Sequence, residues 1–214
     1  MSKYNNFNTD QYSVHQRIIN SVGHNKNVLD VGCSEGTLSK KMKDNNCTVV
    51  GIELDEDAAK KAGKFCKEVL VGDVESVKIS SGYEKYFDII LFADILEHLK
   101  EPSEVLLRFS KYLKDDGVII ISVPNIANWR IRFQLLFGNF DYQEYGILDN
   151  SHIKFFTEKS TKNMIKEAGY DIVQFDLTVG DINIFPRLFH SLGMAWPNLL
   201  AFQFFVIAEK KIKI

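Results

Sequence analysis

The chain has 214 residues, 45% of them hydrophobic, and a formal net charge of -2. That is enough for one sizeable core and needs no second domain, and it lacks the basic excess of a nucleic-acid binder. No apolar run approaches the ~18 residues of a membrane span.

In chain order, a polar arm over 1–10 lacks the apolar heart of a signal peptide. Cysteines 33, 47 and 66 are too widely spaced for a Cys-x-x-Cys site and read as thiols of a reducing compartment. A cytoplasmic protein is expected. A helix is predicted over Gln11–Val22, carrying Tyr12 and His15. Val28, Leu29 and Val31 then form a β-branched-rich run suited to a buried parallel strand. Gly32 and Gly36 break it, and Thr37 to Asn45 resumes at helical spacing. A strand, a glycine-punctuated turn and a helix start present backbone N–H groups to a ligand. Asp30 adds a carboxylate that suits an ammonium on a nucleotide-like molecule. A tight connection with no ligand is the plain alternative.

A second strand, Thr48 to Glu53, ends in a carboxylate about 20 residues beyond the turn, where a doubly wound sheet places the group that holds ribose hydroxyls. Asp55 is an N-cap for the helix that follows. A third run, Glu68 to Val74, carries Asp73, placed to accept a hydrogen bond from an exocyclic adenine amine.

On these residues the chain resembles class I S-adenosylmethionine-dependent methyltransferases over most of its length. Their pattern is Asp-x-Gly-x-Gly-x-Gly after strand one, an acidic residue closing strand two and another after strand three. It is met by Asp30-Val-Gly-Cys-Ser-Glu-Gly36, Glu53 and Asp73, with Ser34 where the middle glycine often sits. A nicotinamide-type Gly-x-Gly-x-x-Gly is not met. The resemblance implies a Rossmann-like, doubly wound α/β domain with a seven-stranded sheet, mostly parallel with strand seven antiparallel. It implies S-adenosylmethionine as cofactor, held by Asp30, Gly32, Cys33, Ser34, Gly36, Glu53, Leu54, Asp73, Val74, Ala93 and Asp94.

Strand four is Phe87 to Ala93, and it delivers Asp94-Ile-Leu-Glu97-His98 to the same crevice. Adjacent residues on a helical turn splay about 100° apart, so at most one of Glu97 and His98 faces it. Pro102 opens a helix that ends near Asp115-Asp116-Gly117, and Val118 to Val123 is strand five. The aromatic-rich stretch 125–150, with Trp129, Phe133, Phe137, Phe140, Tyr142 and Tyr145, lies where acceptor substrates bind. His152 follows it and is the candidate general base, with a structural hydrogen bond as its alternative. A helix, Glu158 to Ala168, ends at Gly169.

Pro124-Asn125, Trp129-Arg130-x-Arg132, His152 and Phe156-Thr157 are similar to methyltransferases related to the methionine-biosynthesis protein MetW. That narrower resemblance implies a small-molecule or saccharide acceptor, with O-methylation as the reaction. Strands six and seven are placed at Tyr170–Val179 and Phe202–Glu209. Between them, 180–200 carries an apolar stripe of Ile184, Phe185, Leu188, Phe189 and Leu192. The plain reading is a helix packed on the domain; a lid, a homodimer face or a surface meeting a peripheral, lipid-linked acceptor are the alternatives. The five histidines are scattered along the chain, so no metal site is expected. A cofactor-binding domain that acts through a protein partner, without catalysis, is the rival from another class.

Overall fold

In the computed structural model, which describes residues 7, 10, 13–180 and 186–211, seven strands form one sheet. They are β1 (Asn27–Val31), β2 (Thr48–Glu53), β3 (Glu68–Val71), β4 (Phe87–Ala93), β5 (Leu113–Pro124), β6 (Tyr170–Thr178) and β7 (Gln203–Lys210). Their order across the sheet is β3-β2-β1-β4-β5-β7-β6. β1 to β5 pair in parallel, and β7 runs antiparallel to both β5 and β6.

β1 is central because its residues are apolar on both faces: Val28, Leu29 and Val31 are fully buried. The strand's period of two divides them between two cores. Leu29 and Val31 pack with Ile90, Phe92 and Ile121 against Leu106 and Phe109 of α4 (Pro102–Phe109) and Ile165 of α6 (Glu158–Glu167). Val28 packs with Leu91 and Ile120 against Ile18 and Val22 of α1 (Val14–Val22) and Met42 of α2 (Thr37–Asp44). Each such buried side chain contributes about 1.5–3 kcal/mol relative to exposure. Asp30, between Leu29 and Val31, therefore faces the α1/α2 layer.

The helix ends carry the caps that the sequence led us to expect at Asp55, whose carboxylate accepts the Ala58 N–H before α3 (Glu56–Ala62). Thr157 and Ser160 form a reciprocal capping box at the start of α6. One boundary differs from the sequence reading. The helix that begins at Pro102 ends at Phe109, and Asp115-Asp116-Gly117 belongs to β5, which starts at Leu113. Gly117 packs its Cα side against Leu113, where a Cβ would meet Leu113 Cδ1 at 2.8 Å. The Asp-Asp-Gly run thus bends a long strand and does not end a helix.

The segment after β5 is anchored by asparagines. Asn125 is fully buried and donates through Nδ2 to the carbonyls of Asn198 and Ala201 at 3.1 and 2.9 Å. Asn128 donates to the Ala201 carbonyl at 2.8 Å and caps α5 (Trp129–Leu136). Buried Ile131 pins this helix, while Trp129, Phe133, Leu136 and Phe137 are exposed. Of the apolar stripe, Ile184 and Phe185 lie outside the described residues, as does Tyr12. Leu192, on α7 (Pro186–Ala195), is half-exposed.

Candidate functional site

The chain passes from β1 outward to β2 and β3, then returns past β1 to build β4 and β5 on the other side. The β1/β4 boundary is thus a topological switch point, and a crevice opens there at the carboxyl ends of the strands. It holds a cavity of about 240 Å³ whose wall includes Asp30, Gly32, Cys33, Ser34, Glu53 and Asp94.

The turn after β1 is built by left-handed backbone. Gly32 and Gly36 lie at φ 75° and 82°. A Cβ on Gly36 would sit 2.9 Å from the Ala62 Cα, so the start of α2 approaches α3 as closely as only glycine allows. Ser34 is also left-handed, at φ 48°, where the family pattern often has glycine. Its backbone N–H donates to Glu53 Oε2 at 2.8 Å, which offsets the strain. The other oxygen of Glu53 accepts the N–H groups of Leu54 and Asp55, both at 2.9 Å. α2 starts behind this turn with glycine at its N-cap, so no capping side chain covers its N-terminus.

Asp30 is buried at the floor of the cavity and accepts a hydrogen bond from Ser39 Oγ at 2.6 Å. Burial pushes its carboxyl up to about 6; the Ser39 hydroxyl opposes the shift and the nearby Glu53 charge adds to it. A buried acid so placed gains most from a cationic ligand group. Asp94, at the end of β4, is a second non-glycine residue with positive φ, at 50°. Its N–H meets Ser122 and its carboxylate accepts Gln203 Nε2 at 2.8 Å. Burial raises its pKa. Ala93, His15 and His98 complete the wall that matters here. His15 stacks on Phe7 at 5.6 Å, and burial lowers its pKa.

Four expected cofactor residues stand apart from this wall, the first being Gly36, which is buried behind the turn against Ala62. Leu54 is exposed, Asp73 spends one carboxylate oxygen on the Glu75 N–H at 2.8 Å, and Val74 is buried. β3 is the edge strand, with β2 between it and β1, so its terminus reaches the crevice at the rim only.

At His152 the structure shows a hydrogen bond of the kind given as the alternative to a catalytic role. The residue is buried and is not on the cavity wall; its Nδ1 donates to the Ile147 carbonyl at 3.1 Å. His98 holds the wall position, and its ring packs edge-on to that of His152 with centroids 4.8 Å apart. Glu97 is buried beside them on the 3-10 turn Leu96–His98. Its backbone carbonyl accepts the N–H groups of Ile153 and Lys154, both at 3.0 Å, which stitches the 149–154 segment to the end of β4. Burial lifts the Glu97 carboxyl well above the ordinary carboxylate range, and the charges of Asp94 and Asp149 add to this. As expected, Glu97 and His98 do not both face the cavity. Their convergence with His152 was invisible to residue spacing, since the two histidines are more than fifty residues apart.

Comparison with known proteins is consistent with this geometry. The chain matches the methyltransferase domain family over residues 13–175. It is 32% identical over 109 residues to the ubiquinone biosynthesis O-methyltransferase of Glaesserella parasuis, covering 47% of this chain and 46% of that one. It is 24% identical over 148 residues to the protein of that name from Nitrosomonas europaea, covering 67% and 63%. The chain thus spans about half the length of the first of these relatives. A SAM-dependent methyltransferase from Archaeoglobus fulgidus shares the fold with a TM-score of 0.63 at 20% identity, over 91% of this chain and 90% of that one.

Proposed function

We infer that this chain, which belongs to the methyltransferase domain family, is an S-adenosylmethionine-dependent enzyme that methylates a hydroxyl of a small molecule. The observation that carries the reading is the switch-point cavity with Asp30 at its floor and Glu53 on its wall. The residues fit the cofactor. Asp30 is a buried acid whose raised pKa marks a place for an ammonium. Among the described residues, Glu53 Oε2 accepts one hydrogen bond, from Ser34, and so can accept another from a ribose hydroxyl. Gly32 and Ser34 leave backbone close to the crevice.

When bound, S-adenosylmethionine supplies a methyl group already activated by its sulfonium. The chain's own task is to orient the acceptor oxygen, exclude water and receive or release a proton. The cavity wall offers His15, Asp94 and His98 for contact with the acceptor. The exposed rings of Trp129, Phe133, Phe137 and Tyr142 follow β5 at the carboxyl side of the sheet, and amphipathic ring faces of this kind suit the apolar faces of sugars. A saccharide hydroxyl is therefore the acceptor class we favour, and the name of the curated relatives supports oxygen as the methylated atom.

The reading is tested by incubating the chain with S-adenosylmethionine and a panel of sugars and phenols while following S-adenosylhomocysteine. Product with at least one hydroxyl acceptor is expected. Binding of the cofactor without turnover on any acceptor would favour a non-catalytic domain.

A further inference from the structure

We propose that Glu97, His98 and His152 form a site for one divalent first-row transition-metal ion at the edge of the cavity. The site stands on this geometry alone; only its role in catalysis rests on the methyltransferase reading. One donor atom from each of the three residues lies within 4.8 Å of the other two.

The tautomers follow from the hydrogen bonds. His98 Nδ1 lies 3.1 Å from the Ser151 carbonyl, and His152 Nδ1 lies 3.1 Å from the Ile147 carbonyl. A carbonyl can only accept, so each Nδ1 carries the hydrogen, the tautomer in which Nε2 is the nitrogen that can ligate a metal. This is the arrangement by which metal-binding histidines are oriented through their second nitrogen. The third donor supplies an independent sign: Glu97 is 1% exposed, and its Oε2 has no hydrogen-bond partner among the described residues. His152 Nε2 and Glu97 Oε1 stand 3.9 Å apart, too far for a hydrogen bond. Two imidazole rings and a buried carboxyl group thus converge, an arrangement that a cation would stabilise.

Two imidazoles and one carboxylate suit Zn²⁺, Co²⁺ or Mn²⁺ better than Mg²⁺ or Ca²⁺, which prefer all-oxygen shells. Metal–ligand bonds of about 2.0–2.2 Å place neighbouring donors roughly 3–3.5 Å apart, so the side chains close by about 1 Å on binding. Three protein ligands leave positions open, and His98 lines the cavity, so an acceptor oxygen can fill one. There the ion lowers the pKa of the hydroxyl, whose proton passes to solvent. The oxygen then forms its bond to the methyl carbon as the sulfur–methyl bond breaks, giving an ether and a neutral thioether.

The test is a titration of the chelator-treated chain with CoCl₂ and ZnCl₂, without cofactor, followed by calorimetry and by the visible absorption of Co²⁺. One ion per chain is expected, with affinity falling tenfold or more in His98→Ala and in His152→Ala. His152→Ala should keep its affinity for S-adenosylhomocysteine. Should Glu97→Gln fail to fold, the two histidine variants still decide. Absence of stoichiometric binding, or binding that survives both histidine substitutions, would overturn the site. A wild-type chain that takes up the ion but not S-adenosylhomocysteine would overturn the functional reading and leave the metal site standing.

Discussion

Glu53 reaches back 19 residues to accept the backbone N–H of Ser34 at 2.8 Å. One carboxylate at the end of β2 therefore braces the left-handed turn after β1 and also borders the cavity. The left-handed turn and the carboxylate at the end of β2 are mechanically a single unit.

That relationship predicts a double effect for Glu53→Ala. It removes a charge-assisted hydrogen bond of about 1.5–3 kcal/mol to the cofactor and leaves Ser34 without its brace. Affinity for S-adenosylhomocysteine should drop roughly ten- to a hundredfold, with a fall in melting temperature as well. Ser34→Gly in that background should recover part of the thermal loss and none of the affinity, because glycine relieves the backbone strain only.

Asp30 predicts a pH dependence. Its folded pKa of about 6 lies above the ordinary 3.8, so between these values the folded chain holds a proton that the unfolded chain has lost. The contribution of Asp30 to stability is therefore largest below the lower value and declines as pH rises through the upper one. Cofactor binding has the opposite sign, since an ammonium needs the carboxylate. Affinity should fall up to about tenfold per pH unit below about pH 6. In Asp30→Asn the affinity should be low throughout, and this slope should be absent. Calorimetry across that range checks both statements.

Asn125 predicts a stability effect far from the chemistry. Its buried amide holds two carbonyls of the 197–201 segment, and its Oδ1 accepts the Ala127 N–H at 3.0 Å. Asn125→Ala strands buried acceptors, at a cost of about 1–3 kcal/mol each before relaxation. Denaturant unfolding should show a clear drop in midpoint. An unchanged midpoint would mean the amide is not the tie between β5 and β7.

The aromatic helix after β5 predicts the reverse. Phe133 and Phe137 are 58% and 65% exposed, so replacing both by Ser removes little buried area. Stability should move by about 0.5 kcal/mol or less. If these rings meet the acceptor, its Michaelis constant should rise while cofactor affinity holds.

The central part of the site was legible because it is local. Asp30, Gly32, Ser34 and Gly36 sit within one strand–turn–helix unit, and Glu53 follows from the strand period of its neighbour. Glycine signals and apolar runs report such features directly. Asp73 followed the same pattern but ends an edge strand, and strand order is a tertiary property that no single run encodes. His98 and His152 meet where the Glu97 carbonyl binds the backbone at 153–154 and His98 reaches the Ser151 carbonyl, long-range ties with no spacing signature. Asp115-Asp116-Gly117 misled for another reason: turn-forming residues can also bend a strand.

The measurement that bears most directly on the cofactor site is an experimental structure with S-adenosylhomocysteine bound. The account predicts the ligand in the β1/β4 crevice, its ammonium on the Asp30 carboxylate and its ribose hydroxyls on Glu53. A ligand seated elsewhere, or one that leaves both carboxylates untouched, would contradict it.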